Sequence, residues 1–487
     1  MAQRKQLVRA LFLIMVVLCA LPAWSQQKDP RLNQPVQPLP GVSSGESSSK
    51  GSPNAAGDQA DKMKPDTRPL SGAEQFSLGS MGDRNLFFLN GHFRETAESN
   101  DFGGGGSSND WNAVTLLSGD IGVKHVWSRS ELTATYAGGG TLYNTGDMTN
   151  ASYHKLGLTE RMLFRRWTLL LADEASYLPE SSFGFSGLGL PGGVGGLGGF
   201  GGQFSNLNPI LNPSQSVLTG QARRISNSFV GQVNYAISPR SSFTASGSYG
   251  ILRFVDAGFI DNTSVMFNGG YNYDLSSRNT IGVNYGFTRF DFTGQNNGIQ
   301  THVAQLAYGR RITGRLALQL NAGPSFTHFA NPAARAIASW QTSWNAGALL
   351  RYQMPRGGVS LNYIHGVSGG AGVFAGSTRD EIQAVANRTL ARNLSGSVNF
   401  GYARNTGLGQ TLVSGVAVPN DFHFNSWTAG ATLTRTLSRR TNMYFDYRLE
   451  RQNSTQSVCV SAVCGTTALR HQFGLGLNWS LQPSESR

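Results

Sequence analysis

The sequence predicts an all-β chain: a transmembrane, antiparallel, up-and-down β-barrel of about 18 strands, with short periplasmic turns and long external loops. Three observations predict it. Long stretches alternate apolar residues with small or polar ones at period two. Short turns carrying an arginine recur at near-constant spacing. The composition is poor in charge and rich in glycine and aromatics: 14% charged residues, 61 Gly, 27 Phe, 15 Tyr and 8 Trp in 487 residues.

A soluble protein usually carries about 25% charged residues, and a disordered one few aromatics. Neither description fits. No stretch after the N-terminus offers about 18 uncharged apolar residues, so no membrane-spanning helix is expected. The composition suits a wall with one apolar face and one wet face.

The N-terminus reads as an export signal. Arg4, Lys5 and Arg9 precede an apolar run from Ala10 to Leu21, and Ala23-Trp24-Ser25 supplies small residues for cleavage. Residues 1–25 are therefore expected to leave as a signal peptide, taking Cys19 with them. Residues 26–75, rich in Pro, Ser and Gly, read as a flexible periplasmic segment. The barrel is expected over residues 84–483.

Within that range the alternation is direct. Leu316, Leu318, Leu320 and Ala322 share one face, and Ala317, Gln319, Asn321 and Gly323 the other. Val265-Phe267-Gly269-Tyr271-Tyr273, the Trp340–Tyr352 strip and Leu394-Gly396-Val398-Phe400-Tyr402 repeat the pattern. Several runs reach the ~9–11 residues needed to cross a membrane at a tilt. The strands around 155–164, 167–177 and 382–390 alternate less cleanly, which leaves 16 strands as the other count. Aromatics near segment ends, such as Phe424, Trp427, Tyr444, Tyr447 and Trp479, are expected to form interfacial girdles.

Turns give an independent signal. Ser238-Pro239-Arg240, Ser276-Ser277-Arg278, Thr313-Gly314-Arg315 and Ser438-Arg439-Arg440 are short and basic. Longer connectors lie between them, including 100–110, 369–376, 406–420 and 452–466. That asymmetry belongs to an outer-membrane barrel.

The last strand ends on Gln472, Gly474, Leu477 and Trp479, which resembles the insertion signal of outer-membrane barrels. The chain continues past it to Arg487 without a terminal Phe. Together with the turn and strand plan, this resembles the β-barrel porin families of Gram-negative bacteria. The resemblance implies an outer-membrane location, outer-membrane lipid and the barrel assembly machinery as partners, and a pore. It implies no particular solute.

Chemistry finds little support in the sequence. The eight histidines have no metal-ligand spacing. The run from Gly193 to Gly202 lacks the Gly-Lys-Ser/Thr of a phosphate loop. The Gly-x-Ser-x-Gly matches at 41–45 and 366–370 have no strand-to-helix context. No catalytic residue, cofactor, metal or nucleic-acid partner is expected. Cys459 and Cys464, in the last long loop, are expected to form a disulfide.

On the clearest strands Asp120, Lys124, Asp274, Arg351, Asp446, Arg448, Glu450 and Arg470 are expected to face the lumen, a balanced set. The Gly-rich connector 178–225 is either a lumen constriction or an external loop. A passive channel for small polar solutes is the first expectation. An export or uptake barrel working with envelope partners (for polysaccharide, as one example) and a structural barrel are the others. Homo-oligomerisation stays open.

Overall fold

The structure, a computed structural model, describes residues 85–101, 111–144, 150–179, 223–293, 298–330, 339–372, 375–408, 410–413, 416–419, 423–454 and 467–481. The expected signal peptide, the 26–75 segment, most of connector 178–225 and the Cys459–Cys464 pair lie outside the described residues.

The strands are β1 (Leu86–Asp101), β2 (Trp111–Val126), β3 (Ser130–Tyr143), β4 (Ala151–Leu163), β5 (Trp167–Leu178), β6 (Arg224–Ser238) and β7 (Ser241–Phe254). There follow β8 (Asn262–Ser276), β9 (Asn279–Phe292), β10 (Ile299–Arg311), β11 (Leu316–Phe329), β12 (Trp340–Met354), β13 (Gly357–Ser368), β14 (Ser377–Ala391) and β15 (Leu394–Gly407). A small hairpin, β16 (Gln410–Val413) and β17 (Val416–Pro419), precedes β18 (His423–Thr436), β19 (Thr441–Ser454) and β20 (Thr467–Leu481). All but β16 and β17 belong to one 18-stranded sheet of antiparallel neighbours, and β1 pairs with both β2 and β20, so the sheet closes. The count of 18 holds because β4, β5 and β14, the weakly patterned segments, all pair into the wall. The β16–β17 hairpin, inside a connector, was not foreseen.

The packing is inside out relative to a water-soluble protein. Leu117 is 64% exposed and Leu306 71%, whereas Gln232 and Thr244 are 0% exposed. Each apolar strip read from the sequence lies on the outer face, where only hydrocarbon can cover it. The barrel strands run from 12 to 16 residues, longer than a crossing needs, so they extend beyond the hydrocarbon layer. Two girdle residues are corrected: Phe424 and Tyr444 point inward and are buried.

The recurring turn chemistry has a local cause. The hydroxyls of Ser238, Ser276, Thr313 and Ser438 each accept the backbone N–H two residues on, from Arg240, Arg278, Arg315 and Arg440, at 3.2 Å. The Ser/Thr side chain thus closes the turn, and the arginine, whose side chain is not needed for it, extends exposed into water.

Candidate functional site

Where β20 joins β1 to β19, alternation directs a ladder of charged and polar side chains into the lumen. On β1 these are His92, Arg94 and Glu98; on β19, Asp446, Arg448 and Glu450; on β20, Arg470 and Gln472. His92 Nε2 lies 2.5 Å from Asp120 Oδ1 on β2, and Asn90 donates to the same carboxylate at 2.7 Å. Arg94 donates to Asp446 at 2.6 Å. Arg470 donates to Glu98 at 2.7 Å, and Gln472 donates to it at 3.0 Å. Arg448 and Arg470 stand 3.7 and 3.8 Å from Glu450. Lys124 and Glu131, 3.2 Å apart, continue the ladder toward the short turns.

The Arg94–Asp446 pair spans two strands, passing over β20 between them. It can do so only because Gly474 lies underneath: a Cβ there would stand 2.6 Å from Arg94 Nε and would also overlap Asp446 Oδ1. Beside it the Tyr444 ring covers Gly476, which has no room for a Cβ either. On β1 and β2, Phe88 covers Gly122 in the same way.

The diametrically opposite wall, centred on β9 and β10, is built mainly from uncharged groups. Asn284 donates to Gln305 at 2.8 Å, and Gln305 donates to Asn345 at 2.5 Å. This second bond also passes over a glycine, Gly323 on β11. Ser246, Ser248, Ser264, Thr301, Ser325 and Thr327 face the same side. Asp274 and Arg351 belong to this half, near its short-turn end; Asp274 accepts from Thr280 at 2.6 Å.

At the long-connector end, the described residues of connector 369–376 reach the β7–β8 connector and the start of β10. Its 3-10 turn, Gly370–Gly372, carries positive φ at both end glycines. Ile260, in the β7–β8 connector, donates its backbone N–H to Gly372 O at 2.7 Å. Gly376, with φ 92°, packs against Ile299 at the start of β10. Under this bridge Phe290, Phe292, Ile299 and Phe329 form a buried apolar cluster, joined by Ile260, Ala375 and Leu408. The β7–β8 connector is tied down in turn by Asp256, which accepts from Arg223 Nη2 at 2.6 Å. The guanidinium's hydrogen bonds hold the Asp256 carboxyl below the usual carboxylate range.

Six of the eight expected lumen charges thus belong to one wall: Asp120, Lys124, Asp446, Arg448, Glu450 and Arg470. Asp274 and Arg351 stand apart from it. Sequence reasoning missed Arg94, Glu98, His92 and Glu131, and also Lys155–Glu174 and the Arg379–Glu381 pair. Gln472 and Gly474, read as an insertion signal, line the lumen, while Leu477 and Trp479 of the same motif lie exposed on the outer face. Among the described residues no cluster of His, Cys, Asp or Glu could hold a metal ion.

Charges that alternate in sign cancel at a distance, because paired charges act as short dipoles whose field falls off faster than that of a single charge. The ladder therefore offers local polar contacts rather than one strong field. Fold and site together define a membrane-crossing β-barrel with a polar lumen.

No protein-family model matches the chain, and no curated protein matches it. Solved structures similar in fold include OccK2 (OpdF) of Pseudomonas aeruginosa, with 12% identity, TM-score 0.41, 82% of this chain and 98% of that one. OpdK of the same organism, crystallised with vanillate, shows 13% identity, TM-score 0.39, and coverage of 81% and 98%. A BenF-like porin from Pseudomonas fluorescens Pf-5 shows 10% identity, TM-score 0.41, and coverage of 82% and 100%.

Proposed function

We propose that the chain is an outer-membrane channel for passive diffusion of small polar solutes. The observation that carries this reading is the closed 18-stranded wall, apolar outside, whose inner face is lined mainly by charged, amide and hydroxyl side chains, with an apolar cluster at the long-connector end. Barrels of 16–18 strands enclose more space than wall side chains fill and leave an aqueous path. Short turns on one side and long connectors on the other give the outer-membrane orientation. The inner wall offers hydrogen-bonding groups without a continuous run of one charge, which suits neutral or zwitterionic solutes over ions of one sign.

Gln472, Gly474, Leu477 and Trp479 serve in this reading as the assembly machinery's recognition element as well as part of the wall. The test is single-channel conductance of the refolded full chain in a planar bilayer under a salt gradient. Steady steps with a reversal potential near zero are expected. A correctly folded barrel that passes no current would overturn the channel reading and favour a structural one.

A further inference from the structure

One arrangement recurs on the outer face. Tyr136 on β3 stands opposite Leu156, and its hydroxyl lies 2.8 Å from Nδ1 of His154, two residues further toward the long connectors. Tyr285 on β9 stands opposite Ala304 and lies 2.7 Å from Nδ1 of His302. Tyr447 on β19 stands opposite Phe473 and lies 3.0 Å from Nδ1 of His471. The same diagonal joins Tyr402 to Asn425 and Tyr363 to Asp380. Tyr136, Tyr285 and Tyr447 each stand six residues past the first residue of a strand that rises from a short turn, so the three Tyr–His pairs occupy matching positions along the wall.

The bond uses one of the two exchangeable protons of a neutral Tyr–His pair. If the tyrosine donates to Nδ1, the Nε2–H is left over; if Nδ1–H donates to the tyrosine oxygen, the O–H is left over. Either way the pair keeps one donor, and the side chains are exposed or half-buried on the outer face. Directly below, toward the short turns, lies the apolar belt: Leu156 and Leu158 beneath the first pair, Val283 and Leu306 beneath the second. Donors at the upper edge of a lipid-facing belt meet headgroups, and a phosphate is the strongest acceptor there. The Tyr363–Asp380 member, carrying an acid, does not fit an anion.

The geometry points to the three Tyr–His pairs as binding sites for the phosphate groups of a phosphorylated glycolipid, lipid A, in the external leaflet. This rests on the outer-membrane orientation given above. Each site joins one donor to an aromatic rim: Tyr177 beside His154, and Phe287 and Trp340 beside His302. The sites also fix the height of the barrel in the membrane.

The test refolds the full chain into phosphatidylcholine vesicles with and without lipid A, transfers it to detergent, and measures the lipid that stays bound by mass spectrometry. The wild type is expected to retain lipid A over phosphatidylcholine. Replacing both members of all three pairs by phenylalanine (Y136F/H154F, Y285F/H302F and Y447F/H471F combined), which keeps the rings and removes every donor, is expected to retain about a tenth as much, as loss of hydrogen bonds to a charged group implies. Should this combined variant not fold, each pair replaced alone is expected to lose about a third, the sites being far apart and independent. Equal retention by variant and wild type, or no preference for lipid A in the wild type, overturns the proposal. Conductance is measured alongside and is expected to be unchanged by the combined variant, whose replaced side chains all lie on the outer face. Silence in both proteins would tell against the channel and leave the lipid comparison standing.

Discussion

Ile260 donates its backbone N–H to the carbonyl of Gly372 across the mouth of the barrel, at 2.7 Å, although β9 to β12 separate the connectors that carry them. A single bond of this kind contributes about 1 kcal/mol. The apolar cluster beneath it adds more, so the bridge is held mainly by Phe290, Ile299 and Phe329. It roofs the half of the wall lined mainly by amides and hydroxyls and leaves the charged ladder beneath the rest of the mouth.

Gly372→Val tests the bridge. Gly372 sits at φ +79°, and a Cβ there would overlap the Phe254 ring. A β-branched residue cannot take this conformation without a cost of about 1–3 kcal/mol, so the connector is expected to leave its place. Single-channel conductance should rise while the unfolding temperature hardly moves. Unchanged conductance in a folded variant would show that the bridge does not narrow the path.

Gly474→Ala tests the charged wall. The methyl group displaces Arg94 from Asp446, a loss of about 2–3 kcal/mol by the scale of hydrogen bonds to charged groups. Urea unfolding should report it. In an Asp446→Asn background the same substitution should cost distinctly less, since the two act on one contact. Strict additivity would separate the glycine from the ion pair.

Gln305→Glu places a charge in the middle of the amide wall, beside Asn284 and Asn345. The reversal potential is expected to shift toward cation preference with little change in conductance. If selectivity stays as in the wild type, the permeation path avoids this wall.

Leu306→Arg puts a guanidinium at the centre of the outer belt, on the most exposed apolar side chain of β10. A cation at the bilayer midplane costs about 2–4 kcal/mol. The unfolding midpoint in lipid should fall accordingly. A stability loss below about 0.5 kcal/mol would be that of an ordinary water-facing site.

The Arg223–Asp256 tie gives a pH dependence. Its carboxyl titrates lower in the folded chain than in the unfolded one, so its contribution is complete above the unfolded value, about 4, and is lost as pH falls through the folded value. The difference in unfolding temperature between wild type and Asp256→Asn should be constant above about pH 4 and shrink below it. A difference that grows on acidification would contradict the assignment.

Much of the barrel was legible because period-two alternation and Ser/Thr-x-Arg turns are local signals. The weak segments were weak for a physical reason: Lys155, Arg161, Glu174, Arg379 and Glu381 are charges on the inner face, and an apolar pattern does not announce their partners; Lys155 meets Glu174 across β4 and β5, and Arg379 meets Glu381 two residues along β14. On β1 the pattern is interrupted by Glu95, an acid on the outer face that accepts from Thr115 at 2.8 Å, and this hid Arg94 and Glu98. Contacts that pass over a glycine to the next strand but one, such as Arg94–Asp446 and Gln305–Asn345, depend on register across three strands. The bridge between 260 and 372 depends on which connectors share the mouth. None of these is written in a local run of residues.

The glycine-spanned ion pair has a bearing on the fidelity of assembly. Arg94 and Asp446 are 352 residues apart, and β20 must settle between their strands before they can meet. A slip of one residue at that final junction would turn every side chain to the wrong face and be rejected by the lipid. A slip of two residues would not: the oily and wet faces would still match, and hydrophobicity could not tell the two alignments apart. What distinguishes them is whether Arg94 finds an empty floor at Gly474, and whether Glu98 finds Gln472 and Arg470. The ladder inside the wall therefore works as a proofreading key, turning only when the cylinder has been zipped in its correct alignment.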